Sequence, residues 1–403
     1  MANRDKIEKL DDLIKESIGG EVLEQHAQSL LPPGENYGSV MYKVDFKVRK
    51  GRRTEEHHAV AKCTPTNQIT QELFNIKETF KAEIAWYTTV IPTLRKFAKD
   101  RGLDRDMDFF QEFYGARISL DPRSDTVDLD GVILTENLKQ RGFYNIDRHV
   151  GFDASTTFSI LKDLATFHAV PLAMRLKYPA LFDTKVAPYC PKFGGAEGPS
   201  KEQIDKGLLS FFASVPEIQP YMDQITRTIK ESFPFKQREL REPWISVIHL
   251  DFWCNNIMVT GGKNSKNIIL DMQVPMIASP AADVIFFLLT SVSFEAIKTR
   301  FDLFLKFYYE EFIKNLKQLK VETSAFTFDS FIEEVNHAAK TAELAHSLGH
   351  VQMILMEKGT SGMDSSKTDS KPEDVANIIS KPNPRQIEKT KWLIQEAVKR
   401  NWF

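Results

Sequence analysis

Residues 249–256 read His-Leu-Asp-Phe-Trp-Cys-Asn-Asn, and Asp271 follows 20 residues after Asp251. An apolar segment precedes this stretch, and a predicted hairpin brings Asp271 to the end of a strand. Phosphoryl transfer needs a carboxylate that orients and deprotonates the acceptor hydroxyl, and oxygen ligands that hold Mg²⁺ on the phosphates. The stretch can supply both, with Asp251 as the base and with Asn256 and Asp271 as metal ligands. Each residue alone is more typical of a turn cap, but their order together favours the catalytic reading.

The N-terminal half contains residues that suit a nucleotide site. A loop of small residues lets the backbone approach phosphates closely, and the candidates here are Gly34, Asn36, Gly38 and Ser39. This loop has only two glycines, so an ordinary hairpin entry explains it equally well. Lys62, near the end of a predicted strand, is a candidate for binding the α- and β-phosphates. Glu83 lies beside a buried helical stripe and can hold the Lys62 ammonium in place.

The predicted elements indicate an α+β chain with two lobes. Apolar residues alternate over 39–48 and can pair with 58–63, which predicts an antiparallel hairpin. Residues 1–30 are expected to form an amphipathic helix, and a second helix is expected over 70–91, ending before Pro92.

After residue 137 the pattern is mainly helical, with one β-rich island around the 249–256 stretch. We therefore expect an N-terminal lobe over residues 1–136 and a C-terminal lobe over residues 137–403, which meet at a cleft.

Composition excludes several classes of protein. Apolar residues make up 42% and charged residues 27% of the 403 residues, which is ordinary globular usage. The formal net charge is −2, so nothing in the charge balance favours nucleic acid or an anionic membrane as the main partner. Three widely spaced cysteines argue against a disulfide framework. No secretory signal or membrane-spanning segment is visible, and a cytoplasmic location is expected.

Several stretches of the sequence together resemble a known family. It is similar to the small-molecule branch of the protein-kinase-like superfamily, with choline kinases and aminoglycoside phosphotransferases, and most resembles the ecdysteroid kinase-like proteins. The resemblance spans about residues 30–290. The matching stretches are residues 33–40, 61–62, 80 and 83, 136–138, 164–169, 249–256, 271–273 and 279–283.

The resemblance implies a bilobal protein-kinase-like fold, with a small β-rich N-lobe and a larger, mainly helical C-lobe. It also implies ATP and Mg²⁺ as cofactors, a hydroxyl acceptor bound mainly by the helical lobe, and nucleotide contacts from Glu136 and Leu138. By the same resemblance, Asp283 should brace the catalytic loop by hydrogen bonds, and His168 should pack beneath it. Two positions depart from the family pattern: Leu250 stands where glycine is usual, and Met272 where phenylalanine is usual.

The acceptor remains open at this stage. A lipophilic alcohol, such as an ecdysteroid-like sterol or a foreign compound, is favoured by aromatic residues between the predicted helix of His168 and the 249–256 stretch, namely Phe182, Phe193, Phe211, Phe212 and Tyr221. Plain core packing explains each of them at least as well. The alternatives are a choline-, ethanolamine- or aminoglycoside-type acceptor, or a nucleotide-binding pseudokinase. We expect a small-molecule partner, no nucleic acid, no membrane insertion, and a monomer or weak homodimer.

His346 and His350 stand four residues apart, a spacing that suits a metal on one face of a helix. Because no glutamate follows His346 and no third ligand is evident, zinc is not expected there.

Overall fold

The computed structural model describes residues 4–30, 39–66, 68–73, 75–190, 199–231, 238–262, 264–357 and 383–403. Of the predicted nucleotide-covering loop, Ser39 is described, whereas Gly34, Asn36 and Gly38 lie outside the described residues. Phe193, one of the aromatic candidates, also lies outside them.

An antiparallel sheet forms the centre of the N-terminal part. In the described residues it has five strands in the order β1-β2-β3-β5-β4. The strands are β1 (Glu21–Ser29), β2 (Val40–Lys50), β3 (Arg53–Cys63), β4 (Phe113–Arg117) and β5 (Val132–Glu136). Alternate side chains of β2, among them Val44 and Phe46, are buried in one apolar cluster, as the period of two predicts. In this register Lys62 stands opposite Ile133.

The helix expected over residues 1–30 is wrong. Of residues 4–30, only α1 (Leu10–Ile14) is helical, and β1 follows as an edge strand of the sheet. β1 pairs with β2 from Glu21 opposite Arg49 to Ser29 opposite Tyr42. Because backbone pairing with a distant strand outweighs a weak local helical pattern, the local signal misled the prediction.

The helix expected to end before Pro92 also differs. After α2 (Gln68–Leu73), helix α3 (Ile76–Ala85) continues through a π-turn (Trp86–Val90) into α4 (Ile91–Asp100). Pro92 therefore lies in the first turn of α4, beside the π-turn. Because proline lacks an N–H donor, the regular helical hydrogen bonding is interrupted at Pro92, and the π-turn lies directly before it.

The remainder of the chain is mainly helical. Its helices are α5 (Ala154–Lys177), α6 (Pro179–Lys185), α7 (Pro199–Ala213), α8 (Met222–Glu231), α9 (Ala281–Thr290), α10 (Phe294–Gln318), α11 (Phe328–Ala338), α12 (Leu344–Ile354) and α13 (Pro384–Lys399). Two small antiparallel sheets lie among them: β6 (Ser246–Ile248) with β9 (Met276–Ala278), and β7 (Ile257–Val259) with β8 (Asn267–Ile269). Every residue of α9 is buried, in keeping with its largely apolar sequence. The expected α+β class, β-rich first and helical afterwards, is confirmed.

The aromatic residues proposed for an acceptor pocket belong largely to the core. Phe182, Phe211 and Phe212 are at most 2% exposed and pack in the main apolar cluster, and Tyr221 packs against it. Core packing therefore accounts for them. Cys63, Cys190 and Cys254 are all buried and unpaired with one another. Over the described ranges, no helix is both long and apolar enough to cross a membrane.

Lys389, on α13, is buried, and no carboxylate among the residues that the structure describes forms an ion pair with it. Only 7% of it is exposed, and its Nζ lies 5.0 Å from the centre of the Trp392 ring and 5.8 Å from that of Phe294. The Val292 carbonyl oxygen lies 3.5 Å from the same Nζ. Burial lowers the pKa of Lys389 from 10.5 to about 7, since desolvation disfavours the charged form.

We expect Lys389→Met to stabilise the protein most at neutral pH. Between pH 7 and 10.5 the unfolded chain binds more protons than the folded one, so wild type gains stability as the pH rises through that window. The gain from methionine should be roughly 3 kcal/mol larger at pH 7.5 than at pH 10. Denaturant unfolding of both proteins at the two pH values measures it. An equal gain at both would contradict a penalty from the lysine charge.

Candidate active site

The loop that follows β6 is fixed by a buried aspartate. Asp283, at the start of α9, accepts the backbone N–H of His249 on Oδ2 at 2.6 Å and that of Leu250 on Oδ1 at 2.9 Å. His168 Nε2 lies 3.1 Å from Asp283 Oδ2, and His168 Nδ1 lies 2.7 Å from the Tyr308 hydroxyl. The bracing role expected of Asp283 and the position expected of His168 are confirmed by these contacts.

Leu250 adopts the left-handed backbone conformation, with φ of 69°. A residue with a Cβ pays about 1–2 kcal/mol there, which explains why glycine suits the position. In this chain the leucine is 2% exposed and packs among Ile248, Val274 and Met276, and burial of its side chain offsets that cost. The departure from the family pattern is therefore accommodated at this turn.

Asp251 and Asn256 form a linked pair on the loop. Asn256 Nδ2 donates to both the backbone oxygen and Oδ2 of Asp251, each at 2.9 Å. Burial, followed by the negative charge of Asp271, raises the pKa of Asp251, while His249, His346 and the Asn256 hydrogen bond oppose the rise. A carboxylate with a raised pKa is a better proton acceptor than an ordinary one.

Lys62 connects the sheet to this loop. Its Nζ donates to Glu83 Oε2 at 2.5 Å, to Asp271 Oδ1 at 2.5 Å and to Gln273 Oε1 at 3.3 Å. Burial alone would lower the pKa of Lys62, but Asp271 and Glu83 outweigh it and raise that pKa, so the ammonium stays charged. Burial raises the pKa of Glu83 to about 7, against the opposing charge of Lys62.

One cavity of about 270 Å³ joins these residues. Of the residues predicted for the site, those that line it are Ser39, Lys62, Glu83, Leu138, Asp251, Asn256 and Asp271. They come from the sheet, helix α3, the segment after β5 and the loops around β7 and β8. A set dispersed over more than 230 positions of the sequence thus meets at one place.

Glu136 is placed differently. Its carboxylate accepts Arg141 Nη1 at 2.9 Å and the backbone N–H of Glu112 at 2.9 Å, and its carbonyl accepts Gln111 Nε2 at 3.1 Å. The side chain therefore stabilises the end of the sheet, and only the carbonyl is oriented towards a cavity residue, Gln111. Gln111 and Gln273 were missed in the sequence. Gln273 has a signal in its position two residues after Asp271, whereas Gln111 has none.

The oxygen atoms present fit a magnesium ion. Because Asn256 Nδ2 is bonded to Asp251, the amide Oδ1 is left to act as a ligand, and the Asp271 carboxylate lines the same cavity. Within the described segments there is no group of three or more His, Cys, Asp or Glu side chains that suits a metal. Magnesium commonly takes only one or two protein oxygens and completes its shell with phosphate and water, so the pair suffices.

Comparison of the chain with known proteins gives one matching family model and several similar solved structures. A model of the ecdysteroid kinase-like family matches residues 33–321, and no curated protein matches the sequence. A choline kinase from Cryptosporidium parvum is 10% identical, with 94% of this chain and 91% of that chain covered and a TM-score of 0.43. An ethanolamine kinase from Plasmodium vivax is 11% identical, with 94% and 84% covered and a TM-score of 0.38.

An aminoglycoside 2′-phosphotransferase-IIIa mutant, solved as a GDP complex, is 10% identical, with 98% and 99% covered and a TM-score of 0.43. The family match covers well over half of the chain and includes β2, β3, α3 and the loop that holds Asp251. The chain belongs to the ecdysteroid kinase-like family.

Proposed function

We propose that this protein is an ATP- and Mg²⁺-dependent phosphotransferase that transfers the γ-phosphate to a hydroxyl group of a small, uncharged, lipophilic molecule. The observation that carries the proposal is the meeting of Lys62, Glu83, Asp251, Asn256 and Asp271 in one cavity. Each has the chemistry that one part of phosphoryl transfer requires.

The sheet side of the cavity would bind the nucleotide. Lys62 would donate to the α- and β-phosphates, and Glu83 would keep the ammonium directed at them. Phosphate oxygens would compete with Asp271 for Lys62, which releases the Asp271 carboxylate. Leu138, the Glu136 carbonyl and the loop of Gly34, Asn36, Gly38 and Ser39 would contact the remainder of the nucleotide.

The loop side would carry out the transfer. Asn256 and Asp271 would hold Mg²⁺, which when bound neutralises charge on the phosphates. The oxygen of the acceptor hydroxyl would bond to the γ-phosphorus while the bond from that phosphorus to ADP breaks. Asp251, oriented by Asn256, would accept the proton of that hydroxyl. Placement and charge neutralisation then supply most of the rate enhancement.

Charge around Asp251 supports an uncharged acceptor. A polyamine acceptor calls for free carboxylates facing it, and a quaternary ammonium acceptor is bound by carboxylates or by the faces of aromatic rings. Glu343, a buried carboxylate beside α12, already accepts Arg238 Nε at 2.9 Å, Arg238 Nη2 at 2.6 Å and His346 Nδ1 at 3.1 Å. Although burial opposes it, these partners lower the pKa of Glu343, so the carboxylate is ionised but neutralised.

Transfer of labelled phosphate from ATP tests the proposal. The full chain would be incubated with Mg²⁺ or with EDTA and with ecdysteroids, other lipophilic alcohols, choline and aminoglycosides. We expect Mg²⁺-dependent labelling of a sterol or lipophilic alcohol. Labelling of choline or an aminoglycoside would contradict the acceptor class. Bound ATP with no labelled product would favour a nucleotide-binding pseudokinase, and absence of ATP binding would contradict the whole proposal.

A further inference from the structure

The indole of Trp253 differs from those of other buried tryptophans. Trp86 Nε1 donates to the Tyr189 carbonyl at 3.0 Å, Trp244 Nε1 to Ser330 Oγ at 3.2 Å, and Trp402 Nε1 to Asn336 Oδ1 at 2.8 Å. These contacts are what buried indoles normally make. Trp253 is only 7% exposed, yet its Nε1 has no hydrogen-bond partner among the residues that the structure describes.

A buried donor left without an acceptor is unfavourable, and one that persists in a native fold calls for an explanation. Trp253 lies two residues after Asp251 and lines the same cavity. Elsewhere on this loop Asn256 Nδ2 binds Asp251 and the Cys254 N–H binds Ser291 Oγ at 3.0 Å, whereas His249 Nδ1 is also buried without a partner among the described residues. Of these two unpartnered side chains, that of Trp253 lines the cavity beside Asp251 and that of His249 does not.

A second unpartnered atom belongs to a ring that packs against Trp253. The ring of His350, on α12, packs edge-on against Trp253, with ring centres 4.6 Å apart and an angle of 86° between the planes. His350 Nε2 is buried and has no partner in the described part of the chain. Burial, with His346 adding to it, lowers the pKa of His350 well below its usual range, so this imidazole is neutral at neutral pH.

The surroundings of this pair are apolar or internally neutralised. Phe286 stacks on His346 with ring centres 4.0 Å apart and packs edge-on against His350. The charges of Arg238 and Glu343 satisfy each other on the far side of His346. An indole N–H and a neutral imidazole nitrogen in such a setting match an uncharged oxygen and supply no negative charge for a cation.

We propose that Trp253 Nε1 and His350 Nε2 form an acceptor subsite that binds an uncharged oxygen other than the hydroxyl that receives the phosphate. The acceptor class is then a neutral lipophile with at least two oxygens, such as a sterol diol or hydroxyketone. This inference rests on the proposed phosphotransfer, since it places the acceptor beside Asp251. Both residues determine specificity and orientation, and the chemistry stays with Asp251.

Trp253→Phe tests the subsite by removing the N–H while keeping an aromatic ring. With ecdysone, a polyhydroxylated sterol, we expect the acceptor kcat/KM to fall by about tenfold or more, with the KM for ATP unchanged. With cholesterol, which has one hydroxyl, wild type and variant should be alike. The thermal unfolding midpoint should fall less than in a variant that loses a bonded indole, because the smaller ring leaves a gap in either case but this donor had no partner.

Trp244→Phe is the matched control, because it removes an indole that is already bonded, in the aromatic cluster with Phe312 and Phe326. It should lower the unfolding midpoint without changing the acceptor KM. If Trp253→Phe behaves like this control, the indole is structural and the subsite is refuted.

A binding measurement separates this inference from the proposed function. In the full chain labelled with ¹⁵N-tryptophan, the Trp253 indole signal is identified by its loss in Trp253→Phe. Ecdysone should shift that signal and choline should not. A shift without any phosphate transfer would support the subsite while contradicting the phosphotransferase. No shift with ecdysone, or an equal shift with choline, would overturn the subsite whatever the activity.

Discussion

Asp251→Asn is expected to slow phosphate transfer by about 10³-fold while ATP binding is retained. Asparagine keeps the size of the side chain and an oxygen that can accept Asn256 Nδ2, so the loop geometry should persist. What is lost is the group that accepts the proton of the acceptor. Because burial and Asp271 raise the pKa of Asp251, the charged form is already disfavoured in the fold, and the neutral amide should not lower stability.

Single-turnover transfer to the best acceptor, together with ATP titration and denaturant unfolding, measures all three effects on one variant. Loss of transfer with ATP affinity and unfolding midpoint preserved is the expected pattern. Transfer within tenfold of wild type would remove Asp251 from the role of base. Loss of transfer accompanied by unfolding would instead place Asp251 among the structural residues.

Asp283→Asn, the same chemical change at the start of α9, should have the opposite signature. Both carboxylate oxygens of Asp283 accept backbone N–H groups, those of His249 and Leu250, and its side chain is 1% exposed. An amide offers only one acceptor and directs its own N–H groups at the other donor. Leaving buried groups unpaired should cost roughly 3 kcal/mol and release the left-handed turn at Leu250.

Denaturant unfolding of Asp283→Asn beside Asp251→Asn makes the comparison, because each variant is the control for the other. We expect the Asp283 variant to lose both stability and transfer. If its free energy of unfolding stays within about 0.5 kcal/mol of wild type, the hydrogen bonds to His249 and Leu250 do not hold the loop.

Site residues that lie close together in the sequence, or on a hairpin that the sequence predicts, could be identified from the sequence. Asp251 and Asn256 lie five positions apart on one loop, so their mutual contact follows from the chain itself. The alternation in β2 and β3 similarly predicts the hairpin that carries Lys62. The order of the motifs along the chain predicts that Lys62 and Asp271 belong to one site, whereas their direct contact is seen only in the folded chain.

Residues placed by packing between distant elements were not predictable in the same way. The local pattern over β1 predicts a helix, but hydrogen bonds to the distant strand β2 decide its conformation. Phenylalanine suits a pocket wall as well as a core, so the sequence cannot distinguish the two for Phe211 and Phe212. Their burial in the structure assigns them to the core. Gln111 reaches the cavity through its position beside β4, which no spacing indicates.

The sequence by itself therefore determined the fold class, the family and the set of residues suited to phosphoryl transfer, because these depend on short-range spacing and on residue chemistry. The tertiary structure alone decided which side chains surround Asp251. Packing of α12 brings His350 onto Trp253, a contact between segments about 100 residues apart. His346 contacts Glu343, three positions earlier, because the helical turn directs both side chains to the same face. Such contacts depend on how helices pack, and a periodic sequence pattern specifies a buried face but not its partner.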